Sequence, residues 1–177
     1  MNNCIDQTKQ WINRFVIGQN LCPFAAKALE LDSIHFSSTS SLEELDILQS
    51  FWKVILDINQ SDKFNSALYI LEQACKDFDA YLNILDKANW LLEDTELNQK
   101  YQLASFHPDY IFKDKDKDDV SNYTNRSPYP IIHILSVDEV SKAVASHPNI
   151  DDIPIRNISH LESLGLEKIK FLLKNLY

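Results

Sequence analysis

"NSALYILEQ", residues 65–73, is a short and nearly unbroken apolar run bounded by polar residues, the pattern of a strand buried on both faces. Such a strand belongs inside a sheet with helices on both sides. The segments around it fit that placement. Upstream, "SIHFSST" (33–39) reads as a short strand. "SLEELDILQSFWKVILDIN" (41–59) reads as a helix opened by Ser41, with Glu44 three residues on as a capping box. Downstream, "KDFDAYLNILDKANWLLEDTELNQK" (76–100) is a long amphipathic helix with Phe78, Tyr81, Leu82, Leu85, Trp90 and Leu91 at apolar positions. The strand "YQLASFH" (101–107), a polar connection over 108–129 and the strand "IIHILSV" (131–137) follow.

The order β-α-β-α-β-β predicts a single domain of the α/β or α+β class: a roughly four-stranded mixed sheet covered by helices. Parallel strands would be joined by right-handed crossovers, with the last strand antiparallel beside its predecessor. Residues 32–137 hold the sheet and crossover helices. Residues 1–31 form a helical amino-terminal segment and 138–177 the closing helices. In the first of these, Trp11, Ile12, Phe15 and Val16 predict a helix over 5–17 stopped by Gly18, and Asn20 with Pro23 opens a second helix. Pro128 and Pro130 suit the entry to an edge or terminal strand, and either preceding peptide bond is open to the cis form.

With 177 residues and 45% hydrophobic content, the chain can bury one sizeable core. Seventeen basic against 26 acidic residues leave a net charge of −9, which argues against nucleic acid and anionic lipid as partners. The start of the chain lacks a signal-peptide pattern and no apolar run is long enough to cross a bilayer, so a soluble, cytoplasmic protein is expected. Three cysteines without CxxC or zinc spacing point to reduced thiols rather than disulfides. Two glycines exclude GxGxxG and GxxxxGK phosphate loops, and no HxxxH or HxH spacing marks a metal site. No cofactor and no metal are expected; the oligomeric state is left open.

The chemistry concentrates in "SFHPDYIF" (105–112) and "NYTNRSPYPIIHIL" (122–135). If the last two strands pair with residue 107 near 131, His107 and His133 share a face and a ligand fits between them. His107 or His133 would then act as general acid or base, and Asp109 would orient an imidazole. Arg126, among Asn125, Ser127 and Tyr129, would grip a small anionic molecule with its guanidinium fork. Arg156, in "IPIRNI", is one more candidate folding back over the site. Each residue has a plainer alternative. His133 is flanked by apolar residues and suits a buried, hydrogen-bonded histidine. Asp109 suits a turn cap, and Arg126 suits an anchor tying the long loop to the body through backbone carbonyls. The charged run "KDKDKDD" (113–119) reads as solvated loop.

Cys22 is a second centre. It precedes Pro23 at a predicted helix start, where the dipole favours a thiolate, so it is a candidate nucleophile or redox thiol; the plainer alternative is a small buried hydrophobe. "CPFAAKAL" resembles the CPFA segment of omega-class glutathione transferases, whose cysteine is the catalytic thiol. A helix rather than a strand precedes it here, which departs from the thioredoxin-like pattern.

The segments "WINRFVIGQNLCPFA" (11–25), "YQLASFHPDYIF" (101–112), "DDVSNYTNRSPYPIIHIL" (118–135) and "IPIRNI" (153–158) resemble those of an uncharacterised bacterial family catalogued as domain of unknown function 1415. The resemblance covers most of the chain but implies no activity, cofactor or partner. It places Cys22, Pro23, His107, Pro108, Asp109, Asn125, Arg126, Pro128, Tyr129, Pro130 and His133 on motif positions. The chain departs at Glu72-Gln73, where members carry His-Pro, and at Ile155, where they carry glutamate. If either group served catalysis, this chain would be an altered or inactive member. Three readings follow: a small cytosolic enzyme holding an anionic metabolite, a non-catalytic binding or interaction protein, and a thiol-dependent transferase or redox protein using Cys22.

Overall fold

The computed structural model describes residues 3–146 and 152–176, so the His147-Pro148 pair lies outside the described residues. The apolar run forms β2 (Ser66–Leu71), buried along its whole length. Parallel to it on one side is β1 (Ile34–Thr39), and antiparallel on the other is β4 (Ile131–Ser136), with β3 (Tyr101–Phe106) antiparallel to β4 at the far edge. The fold is α+β: one mixed four-stranded sheet and, among the described residues, seven α-helices. The crossovers are α3 (Glu44–Asn59) between β1 and β2, and α4 (Phe78–Asp94) between β2 and β3.

The second crossover leaves a gap of one strand between β2 and β3, and β4 fills it. The last strand is therefore beside its predecessor, as expected, but it is central rather than an edge. Pro128 and Pro130 are compatible with a central strand because both lie outside its ladder. The Pro130 carbonyl still accepts from the Leu71 amide at 2.9 Å, and a missing N–H there costs no ladder bond. Both prolines follow trans peptide bonds.

Period-two alternation sorts the core into two layers. Ala67, Tyr69, Leu71, Ile132 and Ile134 face α3 and α4, where Phe51, Ile55, Tyr81 and Ala88 are fully buried. Leu68, Ile70 and Ile131 face the other way, toward α1 (Cys4–Trp11), a π-helical segment (Ile12–Ile17), α6 (Ile153–Leu164) and α7 (Leu166–Lys174). Each large side chain so buried stabilises the fold by about 1.5–3 kcal/mol. The polar tips buried with them are satisfied: Tyr69 donates to the Ile47 carbonyl and Tyr81 to that of Ile131, both at 2.8 Å.

Local signals resolve differently from expectation in three places. The first helix passes into π-helix at Ile12, and Gly18 closes it with right-handed φ of −59° rather than as a left-handed cap. Glycine is needed there because a Cβ would stand 2.2 Å from the Arg14 carbonyl oxygen. Asn20 does not cap a helix; it turns the chain at φ 53°, and α2 (Ala25–Glu30) begins only after Phe24. Ser41 lies ahead of α3, whose N-cap is Glu43. Its hydroxyl accepts from the Glu43 amide at 3.2 Å and donates to Asp46 at 3.0 Å. Beyond β4, α5 (Val137–Ser146) begins the closing helices.

Candidate functional site

The two histidines do not share a face. Phe106, not His107, stands opposite Ile131, and Ala104 stands opposite His133. This one-residue difference from the expected register sends His107 to the α4 side and His133 to the α1 side. A pocket holding both rings is excluded by the pleat.

His107 closes a β-turn: its carbonyl accepts from the Tyr110 amide at 3.1 Å, with Pro108 and Asp109 at the corner. Its ring is fully buried beside Phe78 and Tyr81, at centroid distances of 5.1 and 5.2 Å. Both ring nitrogens are occupied. Nδ1 accepts from the Asp109 amide at 3.0 Å, which makes Nε2 the protonated nitrogen, donating to the Cys75 carbonyl at 2.8 Å. Burial holds its pKa below the ordinary histidine value, with the Cys75 hydrogen bond opposing. The imidazole is thus a neutral bridge with no free nitrogen to offer a substrate. It is Asp109's backbone, not its carboxylate, that orients the ring; the carboxylate is mostly exposed and 3.9 Å from Lys117 Nζ.

The second motif holds the long loop. The Arg126 guanidinium is buried, donating from Nε to the Tyr110 carbonyl at 3.3 Å and from Nη2 to that of Lys117 at 2.7 Å, and it lies 4.2 Å over the Tyr123 ring. Asn125 donates to the Ser105 carbonyl at 3.1 Å and its own carbonyl accepts the His107 amide. Asn122 accepts from the Phe112 amide at 2.9 Å and donates to the Asp116 carbonyl at 2.8 Å. Two side chains, Asn122 in the 3-10 turn (Val120–Thr124) and Arg126 just past it, therefore tie down residues 110–117, and Asn125 between them ties the turn to β3. Ser127 is spent on the Tyr129 carbonyl at 2.5 Å, and the Tyr129 hydroxyl donates to Gln7 in α1.

On the opposite face, His133 finds no hydrogen-bond partner among the described residues, and desolvation pushes its pKa down to about 4. Its ring is 6.1 Å from that of Phe106, which is 5.3 Å from the Trp11 indole. The buried Trp11 Nε1 also lacks a partner.

Cys22 lies in the turn before the six-residue α2. Its half-buried thiol has no partner among the described residues. The α6 residues of "IPIRNI" pin that turn: Asn157 donates to the Leu21 carbonyl at 2.6 Å and exposed Arg156 to that of Asn20 at 3.4 Å. The candidate residues thus fall into separate groups: His107 with Asp109, Asn125 and Arg126; His133 apart on the other face beside Phe106; and Cys22 in the turn that Arg156 touches. Among the described residues no group of three or more His, Cys, Asp or Glu is arranged to hold a metal.

Two features went unread in the sequence. Ser38 donates to Glu72 at 2.7 Å at the carboxyl ends of β1 and β2, next to Cys4. Burial pushes the Cys4 thiol up, Ser38 opposes this and Glu72 adds to it, so Cys4 is a poor nucleophile. The other is a pair of open clefts along α3 and α4, of about 410 and 850 Å³, lined by none of the predicted site residues. The signal of the larger was present as a second apolar stripe in α3, Leu45, Leu48 and Trp52, beside the core stripe Ile47, Phe51, Val54 and Ile58.

No helix among the described residues is long and apolar enough to cross a membrane. No curated protein and no solved structure matches the chain. One family model does, over residues 3–171, and the chain therefore belongs to the family described as protein of unknown function (DUF1415).

Proposed function

We propose that this is a non-catalytic binding or interaction protein in which the His-Pro-Asp and Asn-Arg-Ser-Pro-Tyr-Pro motifs act as a clamp for the loop over 108–129. The observation that carries the reading is Arg126. A guanidinium that grips a metabolite keeps its fork free, whereas here Nε and Nη2 are spent on two carbonyls of the loop and the plane covers Tyr123. His107 supports the same reading through its two occupied nitrogens. The three free cysteines favour a reducing compartment, the cytoplasm. The test is equilibrium unfolding of Arg126→Ala and His107→Ala. Loss of a few kcal/mol in each supports the clamp; variants as stable as the wild type that no longer bind an anionic metabolite argue for a ligand site.

A second reading retains the small enzyme that holds an anionic metabolite, but moves its centre to the α1 face. It is favoured by the Trp11 Nε1 and the His133 ring, both without a hydrogen-bond partner among the described residues and both packed against Phe106. Such a site predicts that some anionic metabolite raises the melting temperature of the wild type and not of His133→Leu. A screen in which no anion stabilises the wild type removes it.

A further inference from the structure

We propose that the groove between α3 and α4 docks a basic amphipathic helix of another protein. This deepens the interaction reading above and rests on it. α3 is amphipathic twice over. Ile47, Phe51, Val54 and Ile58 are buried against the sheet, while Leu45, Leu48, Trp52 and Leu56 repeat at three- and four-residue steps on an adjoining face where Leu45 and Leu56 are exposed and Leu48 and Trp52 half-buried. A helix that needed only to cover the sheet would carry polar residues there. Leu45 and Trp90 are each 67% exposed, facing the cleft of about 850 Å³ that Leu48, Trp52 and Leu91 also line. Leucines and an indole on two neighbouring helices form the apolar seat that a third helix fills, read at the same three- and four-residue spacing.

The charges choose the occupant. Glu93 and Asp94 line one side of the groove, and Glu43 and Asp46 are exposed at the start of α3. Lys87, also in its lining, is already paired with Glu44. An apolar floor with acidic borders complements a helix bearing leucines on one face and lysines or arginines on the flanks. A second copy would bring like-charged borders together on a chain of net charge −9, and anionic lipid would meet the same repulsion.

The test uses the full chain and a fluorescein-labelled Leu/Lys amphipathic peptide, read by fluorescence anisotropy and by tryptophan emission. The expected result is saturable binding that weakens as salt rises, with a blue shift of the tryptophan emission that is reduced in Trp90→Phe. Leu45→Ala with Trp90→Ala, which leaves net charge untouched, should weaken binding at least about tenfold without lowering the melting temperature. Glu93→Lys with Asp94→Lys should weaken it and flatten its salt dependence. A Leu/Glu peptide of the same spacing should not bind. Equal binding to the Leu45/Trp90 variant, or none to the wild type, overturns the proposal. So does a wild-type dimer in sedimentation that Trp90→Asp dissociates, or co-sedimentation with phosphatidylglycerol vesicles. An inert groove together with a destabilised Arg126→Ala would remove this surface alone and leave the clamp standing.

Discussion

His107 donates from Nε2 to the carbonyl of Cys75, which itself sits at a left-handed φ of 56°, while its Nδ1 receives the amide of Asp109. One imidazole thus fixes the approach to α4 and the turn that leaves β3. The ring does this only as the neutral tautomer with the proton on Nε2. This accounts for a histidine where an aromatic of similar size would pack.

His107→Ala should lower stability by about 2–4 kcal/mol, because it opens a cavity beside Phe78 and Tyr81 and removes the partner of the Asp109 amide and the Cys75 carbonyl. His107→Phe refills the space without the hydrogen bonds. It should remain destabilised by more than about 1 kcal/mol in urea unfolding.

Arg126→Ala should cost about 2–4 kcal/mol on the same scale, since a buried side chain is lost, two loop carbonyls lose their donor and Tyr123 loses its cover. Arg126→Lys should recover less than half of that. A single ammonium cannot reach both Tyr110 and Lys117 while lying flat on a ring.

Burial lowers the pKa of His133 to about 4 from the ordinary 6.5. The unfolded chain therefore takes up a proton that the folded chain refuses. The stability linked to this ring is complete above pH 6.5 and falls as pH drops from 6.5 toward 4, by about 3 kcal/mol over the window. His107, shifted the same way, adds to the slope. His133→Leu should flatten the curve over that window relative to the wild type, measured by urea unfolding at several pH values; parallel curves would show that the ring is not desolvated.

Gly18→Ala should destabilise despite alanine's better helix propensity, because its Cβ would lie 2.2 Å from the Arg14 carbonyl oxygen and the turn must open. The loss should exceed about 1 kcal/mol in thermal or urea unfolding. A neutral or stabilising result would place the end of the π-helix elsewhere.

The sheet was legible in the sequence because its strands carry period-two and continuous apolar patterns, and the helices between them carry the 3.6 pattern. The insertion of β4 between β2 and β3 was not, because no local signal says which neighbour a central strand takes. The motifs were visible as an unusual collection of His, Asn, Arg and Pro, and the loop-anchor alternative for Arg126 was visible beside the ligand reading. What separated them was register. Opposing Ile131 with Phe106 instead of His107 reverses which histidine meets which layer, and apolar residues on both faces of β4 leave the composition silent on that choice. The groove was not legible because an exposed leucine stripe and a buried one have the same sequence pattern, and only packing tells them apart.

Arg126 and Asn122 hold residues 110–117 to the 3-10 turn, and Asn125 holds that turn to β3. Amide hydrogen exchange on Arg126→Ala tests this arrangement most directly. Amides of the loop, Phe112 and Asn122 among them, should exchange at least about tenfold faster in that variant, while those of β2 and β4 keep most of their protection. Unchanged protection of the loop in that variant would contradict the clamp and return Arg126 to the role of a ligand-binding residue.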